Sequence, residues 1–79
     1  MRVTVKLFAF LRQGRFKISN CDFPEGTTVG EVLDLLSISR DYMKIGIIMI
    51  NGRHGVFESV LQPGDILAIF PPEKPIREI

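Results

Sequence analysis

Apolar and polar side chains alternate along the start of the chain. Between Arg2 and Phe10 the apolar residues Val3, Val5 and Leu7 are separated by polar residues. A period of two residues is typical of a strand with one face in a core. The pattern therefore predicts a first strand over 2–10.

A second strand follows a polar break at residues 11–15, and the two predict a β-hairpin. Phe16 and Ile18 resume the alternation at even positions, whereas Cys21 and Phe23 lie at odd positions. A β-bulge between these pairs restores the alternation. The alternative is a strand that ends earlier.

A helix is predicted after the turn at residues 24–28. Thr28 and Glu31 have the spacing of a capping box. Four apolar residues recur at helical spacing and predict the stripe that packs on the sheet, namely Val29, Val32, Leu33 and Leu36. Glu31 and Asp34 are then expected to face water.

The second half of the chain predicts further strands. Residues 37–46 show no clean period and are interpreted as a packed loop with at most a short helical turn. The unbroken apolar run 47–50 predicts a central strand covered on both faces, and 51–52 is a tight turn. Residues 54–57 fit a short edge segment, and 66–70 fit the last strand.

This order of elements, ββαββ, predicts an α+β fold of the β-grasp type. One main helix would lie on one face of a mixed sheet of four to five strands, with the first and last strands as parallel neighbours. Residues 1–72 are predicted to form a single β-grasp domain. Residues 73–79 are predicted to form a stiff extended tail, because Pro71, Pro72 and Pro75 lack amide donors.

Composition narrows the functional classes. A chain of 79 residues forms one small domain, and ten basic against nine acidic residues give a net charge of +1. That balance argues against nucleic acid as a partner. No apolar run approaches the roughly 20 residues that cross a membrane, and no signal peptide is readable at the N-terminus.

Reactive side chains are few. Cys21 and His54 are the only cysteine and histidine, so an internal disulfide and a four-ligand zinc site are excluded and a reducing, cytoplasmic setting is expected. Cys21 is interpreted as a structural residue and His54 as a solvated loop residue. Basic side chains are scattered and are interpreted as solvated surface, namely Arg12, Arg15, Lys17, Lys44 and Arg53. With no convergent acid–base pair, we expect neither an enzyme nor a cofactor or metal site.

Four segments together resemble one family, the MoaD/ThiS ubiquitin-like sulfur carriers. They are Val3–Ala9, Pro24–Leu33, Ile50–Arg53 and Pro63–Pro72. The resemblance implies a β-grasp protein that is not a catalyst alone and is activated by an ATP-dependent adenylating enzyme. The family includes the small subunit of molybdopterin synthase and the carrier of the thiamine pathway.

The end of the sequence departs from the family's pattern. The carriers end in Gly-Gly, whose carboxylate is adenylated and then thiocarboxylated, whereas this sequence ends Arg77-Glu78-Ile79. Its seven glycines all stand singly, with none after Gly64. We therefore expect that Ile79 does not form the usual thiocarboxylate.

Four residues near the ends of the first and last strands are candidates for partner contact. Strand parity places Phe8 on the face away from the helix, next to Phe70, and exposed aromatic residues are favoured interface anchors. In the resembled family this face and the tail contact the adenylating enzyme or the large synthase subunit, which adds Pro71 and Pro72. The alternative is that both rings are partly covered residues at the rim.

Three functions follow, in order of preference. The first is a non-enzymatic protein that docks on a partner protein, as a monomer or weak homodimer, with an adenylating enzyme or a large-synthase-subunit-like protein as partner. The second is a working sulfur carrier of molybdenum or tungsten cofactor or thiamine assembly, activated at Ile79. The third is a regulatory nucleotide- or RNA-associated β-grasp module, which only fold analogy supports.

Overall fold

The computed structural model describes residues 1–72, which form five strands, one α-helix and two short 3₁₀ turns. The strands are β1 (Arg2–Leu7), β2 (Ile18–Asp22), β3 (Ile47–Ile50), β4 (Arg53–His54) and β5 (Ile66–Phe70). The helix is α1 (Val29–Leu35), and the 3₁₀ turns are Ala9–Arg12 and Tyr42–Ile45. The predicted tail at 73–79 lies outside the described residues.

The five strands form one mixed sheet in the order β2-β1-β5-β3-β4. β1 and β5 are parallel neighbours at its centre, with Val5 opposite Leu67. The other strand pairs are antiparallel. With α1 packed on one face, this is the predicted β-grasp fold, and the predicted pairing of the first and last strands is confirmed.

The first hairpin differs from its prediction at both strands. β1 ends at Leu7, not at Phe10, because Ala9 takes a positive φ of 54° and starts the 3₁₀ turn. β2 begins only at Ile18 and pairs with β1 in an unbroken register. The predicted bulge is therefore wrong: Phe16 precedes the strand, where it packs against the core from the loop.

The helix begins as predicted. The Thr28 hydroxyl accepts a hydrogen bond from the Glu31 amide, and the Glu31 carboxylate accepts one from the Thr28 amide, which completes the capping box. Val29, Val32 and Leu33 are fully buried. Glu31 is exposed, as predicted.

One exposed ion pair follows the helix. Two nitrogens of the Arg40 guanidinium donate to the Asp34 carboxylate, Nε at 3.0 Å and Nη2 at 2.8 Å. This hydrogen bonding lowers the pKa of Asp34 and raises that of Arg40. The pair joins the helix to the loop that follows it, and Asp34 faces water as predicted.

The prediction that β3 is covered on both faces is wrong. Ile48 is buried beneath the sheet, but Ile47 on the opposite face is 46% exposed. Successive residues of this apolar run therefore face the core and the open side of the sheet in turn. The edge segment predicted at 54–57 is also shifted, since β4 comprises only Arg53 and His54.

The hydrophobic core lies between the helix and one face of the sheet. β1, β3 and β5 contribute their inward-facing residues, and the helix, the 3₁₀ turns and the connecting loops supply the rest. Its fully buried residues include Leu7, Leu33, Leu61, Leu67 and Ile69. Within residues 1–72, no helix is long and apolar enough to cross a membrane.

Candidate functional site

The sheet face opposite the helix is open and largely apolar at its centre. Strand register places Lys6, Ala68 and Met49 side by side across β1, β5 and β3. Their neighbours along the strands, Val5, Leu67 and Ile48, point into the core. The same alternation that builds the core thus leaves a second row of side chains outside it.

Phe8 and Phe70 stack on each other at one end of this face. Their ring centroids are 4.1 Å apart and their planes differ by 13°. Phe8 lies just beyond β1 in extended backbone, and its amide donates to the Ile69 carbonyl at 3.2 Å, so the parallel pairing continues by one residue. The predicted neighbourhood of the two rings is confirmed, and each ring is half-buried.

Arg12 adds a cation to this aromatic pair. Its guanidinium carbon lies over the Phe8 ring, 5.3 Å from the centroid, within the range of a cation–π interaction. Its Nε donates to the Leu7 carbonyl at 2.7 Å. These two contacts fix the position of the Arg12 guanidinium over the Phe8 ring.

A shallow groove of about 380 Å³ runs from the aromatic pair across the open face. Its lining includes the two rings, two small or flexible apolar residues, one exposed isoleucine and one lysine. These residues, with two from the turn after β3, are Lys6, Phe8, Met49, Asn51, Gly52, Ile66, Ala68 and Phe70. We call this depression the open-face groove.

The far rim of the groove is a tight turn locked by side-chain hydrogen bonds. Asn51 and Gly52 both take positive φ, 51° and 81°, as the predicted Asn-Gly turn requires. The side-chain Nδ2 of Asn51 donates to the buried Asp65 carboxylate at 2.8 Å, and its side-chain Oδ1 accepts from the Ile66 backbone amide at 2.9 Å. The groove is therefore rigid at both ends.

Pro71 and Pro72 continue the chain beyond the aromatic pair. Pro71 is half-buried and Pro72 is buried, so Pro71 is the more accessible of the two. Gly46 passes close to this exit: a Cβ there would lie 2.8 Å from the Phe70 carbonyl oxygen. Ile79, the remaining candidate, lies outside the described residues.

A second aromatic pair lies on the two 3₁₀ turns. Phe10 and Tyr42 have ring centroids 6.1 Å apart in a tilted arrangement, and both are exposed. Ile45 on the second turn is 78% exposed. Only Gly46 separates this exposed turn from Ile47, the β3 residue that pairs with Phe70 of the aromatic stack.

The other reactive side chains take up structural or solvated positions. Cys21 is half-buried against the core, which agrees with its interpretation as a structural residue. His54 is exposed on β4. Among residues 1–72, no group of three or more histidine, cysteine or acidic residues is placed to hold a metal ion.

Sequence reasoning missed several residues of the groove. Met49 and Ile66 were overlooked because the apolar runs around them were assigned to the core as a whole. Arg12 was interpreted as solvated, and nothing in its position along the chain indicates that it lies over Phe8. Lys6 had a usable signal, since it shares the parity of Phe8 on the first strand.

Comparisons with known proteins match nearly the whole described chain. The model of the ThiS family matches residues 5–73. The crystal structure of SAMP1 from Haloferax volcanii is similar with a TM-score of 0.74 and 27% identity, over 95% of this chain and 99% of that chain. No curated protein matches.

Two further solved structures share the fold. A putative molybdopterin converting factor, subunit 1, from Pyrococcus furiosus has a TM-score of 0.70 and 26% identity, over 92% of this chain and 99% of that one. A chain in the complex of subunits 1 and 2 of the molybdopterin-converting factor from Helicobacter pylori 26695 has a TM-score of 0.63 over 95% and 99%. At 16% identity, that second likeness is one of fold alone.

Proposed function

The chain belongs to the ThiS family, and from that premise we propose that it works by docking the open-face groove onto a partner protein. Proteins of this kind are small ubiquitin-fold carriers or modifiers, and we propose a role without catalysis for this chain too. The proposed partner is an adenylating enzyme or a protein like the large subunit of molybdopterin synthase. The similarity to a putative molybdopterin converting factor, subunit 1, from Pyrococcus furiosus supports the second choice.

The ordered aromatic pair is the observation that carries this proposal. Phe8 and Phe70 are stacked and half-exposed, although the core beneath the sheet is complete without them. Aromatic anchors that are already ordered lose little side-chain entropy when a partner covers them. They also lie where the chain leaves the sheet at Pro71, so a partner that holds the tail covers the rings too.

The chemistry of the tail is a separate part of the proposal. No two glycines adjoin anywhere in the 79 residues, whereas the resembled carriers use a Gly-Gly pair, whose lack of Cβ atoms allows close approach to a nucleotide phosphate. We propose that this sequence docks without forming a thiocarboxylate at Ile79. The second candidate, a working sulfur carrier, is favoured by the family match, which continues through the fold to residue 73.

Binding of purified partners tests the docking function. The adenylating enzyme and the large-subunit-like protein of the source organism would be titrated with the wild type, with Phe8→Ala/Phe70→Ala and with Leu35→Ala. Leu35 is 68% exposed on the helix side and serves as the matched control. We expect the double variant to bind at least one partner roughly 30-fold more weakly, and the control to bind normally.

A second variant separates docking from folding. Ile66→Ala removes groove surface without touching the stacked rings, and it is expected to weaken binding while thermal unfolding stays close to wild type. Equal affinity of all variants for both partners contradicts the docking function.

Mass spectrometry distinguishes the two candidate functions. The chain would be incubated with the adenylating enzyme, ATP and a sulfur donor, and its intact mass measured. We expect no change. A C-terminal acyl-adenylate, or replacement of one carboxylate oxygen by sulfur, contradicts the absence of the carrier step and supports the second candidate.

A further inference from the structure

We infer that the partner surface which fits the open-face groove is apolar at its centre and carries carboxylates at its rim, placed to meet Lys6 and Arg12. This inference rests on the proposed docking function and specifies the chemistry of the partner. Its basis is the distribution of charge around the groove.

Two cations border the apolar centre. Lys6 lines the groove beside Phe8 and Ala68. The Arg12 guanidinium lies over the Phe8 ring and uses its Nε to hold the Leu7 carbonyl, which leaves its two terminal nitrogens as donors. Within residues 1–72, neither side chain is part of an ion pair.

Carboxylates are absent from the lining of the groove in the part of the chain that the structure describes. Five of the seven acidic side chains within residues 1–72 already have partners: Asp22 with Arg2, Asp34 with Arg40, Asp41 with Lys44, Glu31 with the Thr28 amide, and Asp65 with Asn51. Glu25 lies in a depression at the start of the helix, and Glu58 lies in the loop after β4. The groove is thus cationic in a chain whose net charge is only +1.

Charge complementarity argues against two other occupants. A second copy placed face to face would bring two Lys6 and two Arg12 side chains together, and like charges across an interface are unfavourable. A nucleic acid would meet only two cations around an apolar centre, too few for the phosphate contacts that supply its affinity. A protein surface with an apolar centre and acidic rim satisfies both parts of the groove.

Salt dependence and charge reversal test this inference on the purified adenylating enzyme and large-subunit-like protein. Affinities of the wild type, Lys6→Glu, and Lys6→Glu/Arg12→Glu would be measured from about 0.05 to about 0.5 M NaCl, a range over which charge screening rises steeply. Lys17→Glu/Arg53→Glu is the matched control, because it makes the same change in net charge at two exposed cations that do not line the groove and, within residues 1–72, form no ion pair. Lys6→Glu alone keeps the hydrogen bond from Arg12 to the Leu7 carbonyl. Weaker binding by this variant therefore cannot be caused by a folding defect from the loss of that bond.

We expect Lys6→Glu/Arg12→Glu to bind about tenfold more weakly, or weaker still, at low salt, mainly because association slows. Lys6→Glu alone is expected to reduce the affinity by a smaller factor. The control is expected to bind within about twofold of the wild type, and salt should weaken wild-type binding more than that of the double reversal. Equal affinity of the groove and control reversals overturns the inference, even where Phe8→Ala/Phe70→Ala abolishes binding and docking itself stands. Absence of wild-type binding to both proteins overturns docking and the inference together.

Two further measurements test the other occupants, a second copy of the chain and a nucleic acid. Sedimentation of the wild type alone is expected to show a monomer at low salt. A dimer that Phe8→Ala/Phe70→Ala dissociates, or binding of a single-stranded RNA oligonucleotide that Lys6→Glu/Arg12→Glu abolishes, contradicts an acidic protein partner.

Discussion

Asn51 is the residue that fixes the rim of the open-face groove. Its φ of 51° lies in the left-handed region, and its side chain joins the turn after β3 to the turn before β5 through Asp65 and the Ile66 amide. The Asp65 carboxylate also accepts from the Gln62 amide at 2.8 Å. One side chain therefore links the two loops that meet at this end of the sheet.

Asn51→Ala is expected to lower the free energy of unfolding by about 2–4 kcal/mol, because it strains the backbone and leaves the buried Asp65 short of a donor. Asn51→Gly loses the same hydrogen bonds without the backbone strain, and is expected to be about 1 kcal/mol less destabilising. Urea unfolding measures both. Equal losses would mean that the positive φ costs nothing here.

Asp34 provides a test of a different kind, at an exposed ion pair. The Arg40 hydrogen bonds lower its pKa in the folded state, so the pair stabilises the fold above the unfolded-state pKa, and this contribution is lost as pH falls through the folded-state pKa. Arg40→Gln is expected to raise the pKa of Asp34 toward its ordinary value. Carboxyl NMR titration measures it, and an unchanged midpoint would show that Arg40 does not hold Asp34 in solution.

Among the elements, helix α1 contributes three fully buried apolar side chains to the core although it is short. It has only seven residues, shorter than a helix that is stable alone in water. Its capping box and its buried stripe therefore act together: the cap fixes where the helix begins, and packing on β1 and β5 holds it there.

Leu33→Ala and Leu35→Ala test the contribution of the buried stripe. Leu33 is fully buried and Leu35 is 68% exposed on the same helix. We expect Leu33→Ala to cost about 2–5 kcal/mol, a large part of the stability of so small a domain, and Leu35→Ala to cost less than about 0.5 kcal/mol. Thermal and urea unfolding measure both, and similar losses would contradict the assigned helix face.

The elements also show which parts of the fold can be predicted from the sequence. Helix α1 and the Asn-Gly turn follow from local rules, a capping box and turn chemistry, and the parallel pairing of β1 with β5 follows from the order of the elements. The end of β1 does not, because no local rule predicts the positive φ that Ala9, which is not a glycine, takes at the start of the 3₁₀ turn. The two faces of β3 were misjudged, because an unbroken apolar run fits both a covered strand and a strand with one apolar face left open.

The candidate site could be predicted only in part, for a similar reason. Phe8 and Phe70 were predicted as neighbours because strand parity and parallel pairing determine their positions. Arg12 reaches the same place from a 3₁₀ turn, and no sequence period describes such a turn. Whether these residues bind a partner stays a prediction.

At the scale of the whole molecule, the sheet separates two chemically different surfaces. One face packs on the helix, and the acidic side chains Glu25, Glu31 and Asp34 surround a depression on that side. The other face presents the open-face groove with its two cations. This separation of charge gives a molecule of low net charge a preferred orientation toward a charged partner, which supports the proposed docking function.

Methyl cross-saturation NMR tests docking through this face most directly. The chain would be deuterated, labelled at isoleucine, leucine, valine and methionine methyl groups, and mixed with the protonated adenylating enzyme or large-subunit-like protein. Irradiation of the partner is expected to reduce the signals of Met49 and Ile66 in the open-face groove while those of Leu35 and Val60, exposed elsewhere, keep their intensity. Reduced signals at Leu35 and Val60, with Met49 and Ile66 unaffected, would contradict it.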